Sequence, residues 1–211
     1  MITVLIVEDQ LDHQIYLNTI VNSNSELKCL GIVRTGNEAM REILIKRPNV
    51  VLMDIGLPDI SGIECILKLK GMVPRTRFLI CTVYEEDECV FDALKAGAHG
   101  YIVKKSKPYQ ILDAIKDLYN GESPISSCIA GKILNMIATV EDKTPEQLEY
   151  KLTSKEEYIL RLLAKGYSNK EVADLSFTSI KTIKWHVYNI YRKLHADNRT
   201  DALNRYFGKP G

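Results

Sequence analysis

Five polar residues stand where apolar runs end, and together they describe a phosphoryl-handling site. Glu8 and Asp9 follow Ile2 to Val7, Asp54 follows Val50-Val51-Leu52-Met53, Thr82 follows Phe78 to Cys81, and Lys104 follows Tyr101-Ile102-Val103. Each run is too short for a helix and reads as a buried strand, and the carboxyl ends of such strands are where open α/β sheets bind their ligands. Asp54 opens the turn-rich stretch Ile55-Gly56-Leu57-Pro58-Asp59-Ile60-Ser61-Gly62, which sets its carboxylate on a loop. Three acids on one rim repel and raise one another's pKa, so a hard divalent ion such as Mg²⁺ is their natural partner. Beside such an ion Asp54 has the chemistry of a nucleophile toward a phosphoryl donor, forming an aspartyl phosphate. Lys104 offers a positive charge to the phosphoryl oxygens and Thr82 a hydroxyl. Each residue alone has a plainer reading, as a solvated strand end, a turn residue, or a surface lysine beside Lys105 and Lys107. Their coincidence at matching strand ends is what points to chemistry.

The elements that must hold this rim alternate in type. Ile2 to Val7, Leu27 to Val33, the run before Asp54, Phe78 to Cys81 and Tyr101 to Val103 read as strands. Between and after them, Asp12 to Ser23, Asn37 to Lys46, Gly62 to Lys70, Glu86 to Ala96 and Ile111 to Tyr119 carry helical spacing. Five strands alternating with five helices predict a parallel sheet covered on both faces, with right-handed crossovers that bring every strand's carboxyl end to one rim.

Composition divides the chain further. Of the 211 residues, 45% are hydrophobic, enough for one large core or two small ones. Net charge is +1, but residues 1–140 carry −2, residues 141–150 carry −3 and residues 151–211 carry +6. A basic terminal segment behind an acidic joint suggests a second task involving a polyanion. The start runs directly from Met1 into a strand with no basic flank, and no apolar run is long enough to span a bilayer, so the expected location is cytoplasmic and no membrane partner is expected. Cys29, Cys65, Cys81, Cys89 and Cys128 form no C-x-x-C pair and read as free thiols of a reducing compartment. His13 and His99 show no metal-ligand spacing, and no role is assigned to them.

From residue 2 to about 120 the chain resembles a bacterial response-regulator receiver domain. The resemblance rests on Val7-Glu8-Asp9, Asp54-Ile55-Gly56-Leu57-Pro58 with Gly62, Thr82, Ala93-Leu94-Lys95-Ala96-Gly97-Ala98 and Gly100-Tyr101-Ile102-Val103-Lys104. It implies a flavodoxin-like fold with strand order 2-1-3-4-5, and phosphorylation of Asp54 by a sensor histidine kinase. It further implies Mg²⁺ held by Glu8, Asp9, Asp54 and the Gly56 carbonyl, and a switch pair of Thr82 and Tyr101. By periodicity alone Tyr101 also reads as ordinary strand core.

The expected domains are 1–121, a linker at 122–151 and a second domain at 152–211. Ile125 to Val140 reads as a modest amphipathic helix, and the stretch from Glu141 to Glu146 contains nothing that forms a core. The second domain is helical. Thr153-Ser154-Lys155-Glu156 and Ser168-Asn169-Lys170-Glu171 are capping boxes, and a short helix, a turn and the longer helix Ile180 to Leu194 follow the helix-turn-helix pattern. Opposite the apolar Ile183, Val187, Ile190 and Leu194, the long helix is expected to show Lys181, Lys184, Trp185, Tyr188, Arg192 and Lys193, a face suited to a DNA major groove or, more simply, to water, with Trp185 also reading as a partner contact or as packing against a neighbouring helix.

The runs Leu152-Thr153, Leu163 to Ala173, Thr182-Ile183-Lys184-Trp185-His186-Val187, Lys193-Leu194 and Asn198-Arg199-Thr200-Asp201-Ala202 resemble the LuxR-type helix-turn-helix domain, and the joined pair resembles the NarL/FixJ class of response regulators. That resemblance implies base contacts from Lys184, Trp185 and Tyr188. It implies phosphate contacts from Ser168, Asn169, Lys170, Lys181, Thr182 and Arg199, a structural His186, and binding to double-stranded DNA as a homodimer. In the turn before the long helix, Ser176 and Thr178 replace the family's usual aliphatic pair, leaving Leu175 and Phe177 to fill the space.

The leading reading is a two-component transcriptional regulator controlled by phosphorylation at Asp54. The alternative is a phospho-dependent adaptor whose terminal domain binds protein and not DNA. An aspartate-nucleophile phosphatase needs a second acid two residues after the nucleophile, where this chain has Gly56, so an enzyme is not expected.

Overall fold

The first strand explains the register of the rest. Ile2–Val7 (β1) is buried almost throughout, and Val50–Met53 (β3) and Arg77–Thr82 (β4) beside it are equally apolar, as strands covered on both faces must be. In the computed structural model, which describes residues 1–83, 87–126, 129–131, 133, 152–176, 178 and 180–208, these strands join Leu27–Val33 (β2) and Gly100–Val103 (β5) in one parallel sheet. The order is β2-β1-β3-β4-β5, as the receiver resemblance implies.

Helices Leu11–Asn22 (α1), Gly36–Lys46 (α2), Gly62–Leu69 (α3), Asp87–Ala96 (α4) and Pro108–Asn120 (α5) follow the strands in turn. The fifth begins three residues before the expected Ile111, because Pro108 suits the first helical turn and the Gln110 side-chain oxygen accepts from the Lys107 N–H at 2.8 Å. Gly121 closes it in the left-handed region at φ 94°. Leu17, Ile20 and Val21 of α1 and Ile111, Ile115 and Leu118 of α5 pack on Ile2, Val4, Ile6 and Leu52 in one core. Burying each such side chain contributes about 1.5–3 kcal/mol.

The chain divides into two compact units, Met1–Ala138 and Thr139–Gly211. The first continues past α5, and the helix expected from Ile125 does not include Ile125 or Ser126. Ile125 instead pairs in parallel with Tyr101, and residues 129–131 and 133 are helical. Most of that expected helix, and the stretch 141–146, lie outside the described residues.

The second unit holds Ser154–Ala164 (α6), Asn169–Leu175 (α7), Ile180–Lys193 (α8) and Arg199–Phe207 (α9). Both expected capping boxes form: Thr153 with Glu156, and Ser168 with Glu171. Ile159, Leu160, Leu163, Val172, Ile183, Val187, Ile190 and Ala202 make the core. Leu175 does not join it and is 46% exposed. Ser176, one turn after Val172, turns its buried Oγ inward instead, and the turn is held by the Thr178 N–H donating to the Ala173 carbonyl at 3.0 Å. Phe177 lies outside the described residues. Among the described residues, no helix is long and apolar enough to cross a membrane.

Candidate functional site

Parallel pairing brings the acids together. Val7 lies opposite Met53 in the β1–β3 ladder, so the residues immediately after them, Glu8 and Asp54, leave the sheet side by side. The Asp54 N–H still donates to the Val7 carbonyl at 2.9 Å, and the Glu8 N–H to the Val33 carbonyl at 3.0 Å. On the far side Thr82 lies opposite Val103, and the Lys104 N–H donates to the Thr82 carbonyl at 2.8 Å. Glu8, Asp54, Thr82 and Lys104 are all buried. Gly62 is required here: a Cβ would collide with the Asp54 carbonyl and lie 2.9 Å from Met53 Cγ, so any larger residue would push α3 off the loop.

Lys104 Nζ pairs with Asp54 Oδ2 at 3.0 Å and with Glu8 Oε2. One cation thus bridges two buried carboxylates, while Asp9, only partly buried, is the third. Carboxylate oxygens of Glu8, Asp9 and Asp54 all lie within 4.8 Å of one another. Burial, and then the neighbouring Asp54 charge, push the Glu8 carboxyl up to about 7 against the pull of Lys104. A cluster of hard oxygen donors that carries this much uncompensated negative charge fits a small divalent cation. Cys81, next to Thr82, is raised to about 12 by burial and stays a protonated thiol.

Three supporting residues escaped the sequence reading. Gln14 is buried, and its side-chain amide donates to the Glu8 carbonyl at 2.8 Å. His13 places Nδ1 3.8 Å from Glu8 Oε2. Asp59 accepts the Gly36 and Asn37 N–H groups at 2.7 and 2.9 Å, tying the loop after Asp54 to the start of α2. Burial raises its pKa, but these bonds outweigh that and hold the carboxyl below its usual range. The only signal for Gln14 was a polar residue among the apolar positions of α1.

In the second unit the expected face of α8 is only partly displayed. Lys184 and Arg192 are exposed and Thr182 and Tyr188 half-buried, while the Lys181 side chain lies outside the described residues. Of the readings of Trp185, its burial fits the packed one and not the outward display: it lies opposite the Ile183, Val187 and Ile190 stripe, is only 4% exposed and sits edge-on to the buried His186 at 4.8 Å. Lys193 is also turned from solvent, its Nζ 2.8 Å from the fully buried Glu156. Arg199 donates to the Leu163 carbonyl at the end of α6. Ser168 spends its hydroxyl on the capping box, and Asn169 and Lys170 begin α7, half-buried and exposed respectively.

The model for the response regulator receiver domain matches residues 4–116, and that for the luxR family of bacterial regulatory proteins matches residues 150–205. The chain belongs to the LuxR-type response regulators. It is 35% identical over 202 residues to the response regulator protein VraR of Staphylococcus aureus, spanning 96% of this chain and 94% of that one. VraR of Staphylococcus saprophyticus is 34% identical over the same length. Among solved structures, the response regulator ChrA of a heme-sensing two-component system matches at 27% identity and TM-score 0.55, covering 98% of this chain and 96% of that one. RcsB of Salmonella typhimurium matches at 20% identity and TM-score 0.61, covering 98% of each, a likeness of fold alone. This response regulator therefore joins a receiver to a helix-turn-helix DNA-binding domain, and the carboxylate rim is the receiver's acidic pocket.

Proposed function

We propose that Asp54 accepts a phosphoryl group from a sensor histidine kinase and that this covalent charge controls binding of double-stranded DNA by the second unit as a homodimer. The observation that carries the reading is the bridge from Lys104 to both Asp54 and Glu8 within a three-carboxylate rim. In the transfer, an Asp54 oxygen forms the bond to phosphorus as the donor's bond to phosphorus breaks. Lys104 then turns from pairing carboxylates to pairing the new phosphoryl oxygens. Glu8, Asp9, Asp54 and the Gly56 carbonyl would hold Mg²⁺, which when bound neutralises charge on the phosphoryl oxygens. The Thr82 hydroxyl donates to the same oxygens. Its shift toward those oxygens changes the packing around the Tyr101 ring, a buried neighbour one strand away. The chain turns over no external substrate in this reading, and the reduced thiols of Cys29, Cys65, Cys81 and Cys89 suit a cytoplasmic address.

On the DNA side, Lys184 and Tyr188 contact bases directly, and Trp185 does so only after leaving its buried position. Asn169, Lys170, Lys181 and Thr182 meet phosphates at helix starts, where backbone N–H groups also point. Ser168 and Arg199 contribute chiefly by fixing α7 and the end of α6. Labelling by acetyl phosphate, followed by gel shift over a range of salt, tests the whole reading. Asp54→Asn should abolish both the label and the phosphoryl-dependent gain in DNA affinity while leaving the thermal midpoint intact; a retained label refutes the assignment. Affinity that ignores salt would instead favour a protein-binding terminal domain.

A further inference from the structure

We propose that Pro124, Ile125 and Ser126 form a latch through which Tyr101 reports the state of Asp54 to the second unit. This rests on the phosphoryl reading above and adds its route. In a parallel sheet, alternate residues of a strand send their N–H and C=O to opposite neighbours. Tyr101 sends its pair away from β4, toward what would be an open sheet edge. That edge is closed by the chain leaving α5. The Tyr101 N–H donates to the Pro124 carbonyl at 3.0 Å, and the Ser126 N–H donates to the Tyr101 carbonyl at 3.4 Å. Ile125 is the parallel partner between them.

Close approach is built in. A Cβ on Gly100 would lie 2.8 Å from the Pro124 carbonyl oxygen and 3.0 Å from Pro124 Cγ, so only glycine lets the segment lie against the strand. Beyond the bridge, the Ser126 carbonyl accepts the Ala130 N–H at 2.9 Å, and Ile129 is fully buried. Ser126 is thus hydrogen-bonded on one side to the switch residue and on the other to the helical turn that leads toward the second unit. A bridge of two bonds, one of them already long, tolerates little displacement of its partner strand. Displacement of the β5 backbone at Tyr101 as its ring shifts therefore opens the latch and frees the segment.

Amide hydrogen exchange on the full chain in Mg²⁺, with and without beryllofluoride as phosphoryl mimic, reads the latch directly. The Tyr101 and Ser126 amides are expected to exchange at least about tenfold faster with the mimic; unchanged or slower exchange overturns the proposal. Ser126→Pro removes the donor to Tyr101. It is expected to leave Asp54 labelling by acetyl phosphate within about twofold of wild type while abolishing the beryllofluoride-induced change in acrylamide quenching of Trp185, the chain's single tryptophan. A variant that labels normally and keeps the full Trp185 response overturns the latch alone. Failure of the wild type to take label overturns the phosphoryl reading and the latch with it.

Discussion

Mg²⁺ affinity should follow the ionisation of Glu8. Its carboxyl is pushed up to about 7 by burial and by Asp54, and Lys104 occupies it when no other cation does. A cation that binds the ionised carboxylate must displace the proton, so binding and proton release are linked. With a pKa near 7 the ionised fraction is about 0.09 at pH 6 and about 0.91 at pH 8, which gives roughly a tenfold gain in affinity across that range. About half a proton should leave per ion bound at pH 7. Calorimetric titration with Mg²⁺ at pH 6, 7 and 8, in two buffers of different ionisation enthalpy, measures both quantities. Glu8→Gln should bind more weakly and lose this pH dependence. A wild-type affinity that changes less than about twofold between pH 6 and 8, or no proton release at pH 7, would refute the argument that buried Glu8 carries uncompensated charge.

Three further outcomes follow from particular contacts. Lys184→Ala, which removes an exposed cation of α8, should lower the salt slope of binding to a mixed-sequence duplex by about one and leave stability within about 0.5 kcal/mol of wild type; gel shifts over a salt series and calorimetry check both. Gly62→Ala drives a methyl into the Asp54 carbonyl and Met53, and should destabilise the first unit by about 1–3 kcal/mol in urea unfolding and slow Asp54 labelling. His99 accepts the Phe78 N–H at 3.2 Å and is held below its ordinary pKa by burial and then by Arg77. The folded chain therefore resists protonating it: its stabilising contribution is complete above about pH 6.5 and lost as pH falls below that value. Calorimetry in saturating Mg²⁺, where Glu8 is held ionised, should show the midpoint falling from pH 7 to 5, and His99→Gln should flatten that fall.

Much of the receiver was legible in one dimension because its signals are local. Runs of three to seven mostly apolar residues make buried strands, the residue after each run reaches the same rim once crossovers are right-handed, and Asp54 with its glycine-rich loop marks where chemistry belongs. The capping boxes at Thr153 and Ser168 were equally readable, because each is closed within four residues. What the chain order leaves open are contacts between distant residues. Helical periodicity sets Trp185 opposite its own core stripe, yet that position is buried. The family resemblance implies a phosphate contact from Arg199, but only the fold shows that its guanidinium meets a carbonyl at the end of α6. An apolar Leu175 was expected to fill a gap that Ser176 faces instead. Amphipathic spacing predicted a helix from Ile125, but the edge of β5 held two unsatisfied backbone groups at Tyr101, and pairing them pulled Ile125 and Ser126 into an extended bridge. Periodicity states which side of an element faces away from its own core; which neighbour then covers that side, and which backbone groups need partners, is decided only when the folded chain brings remote segments together.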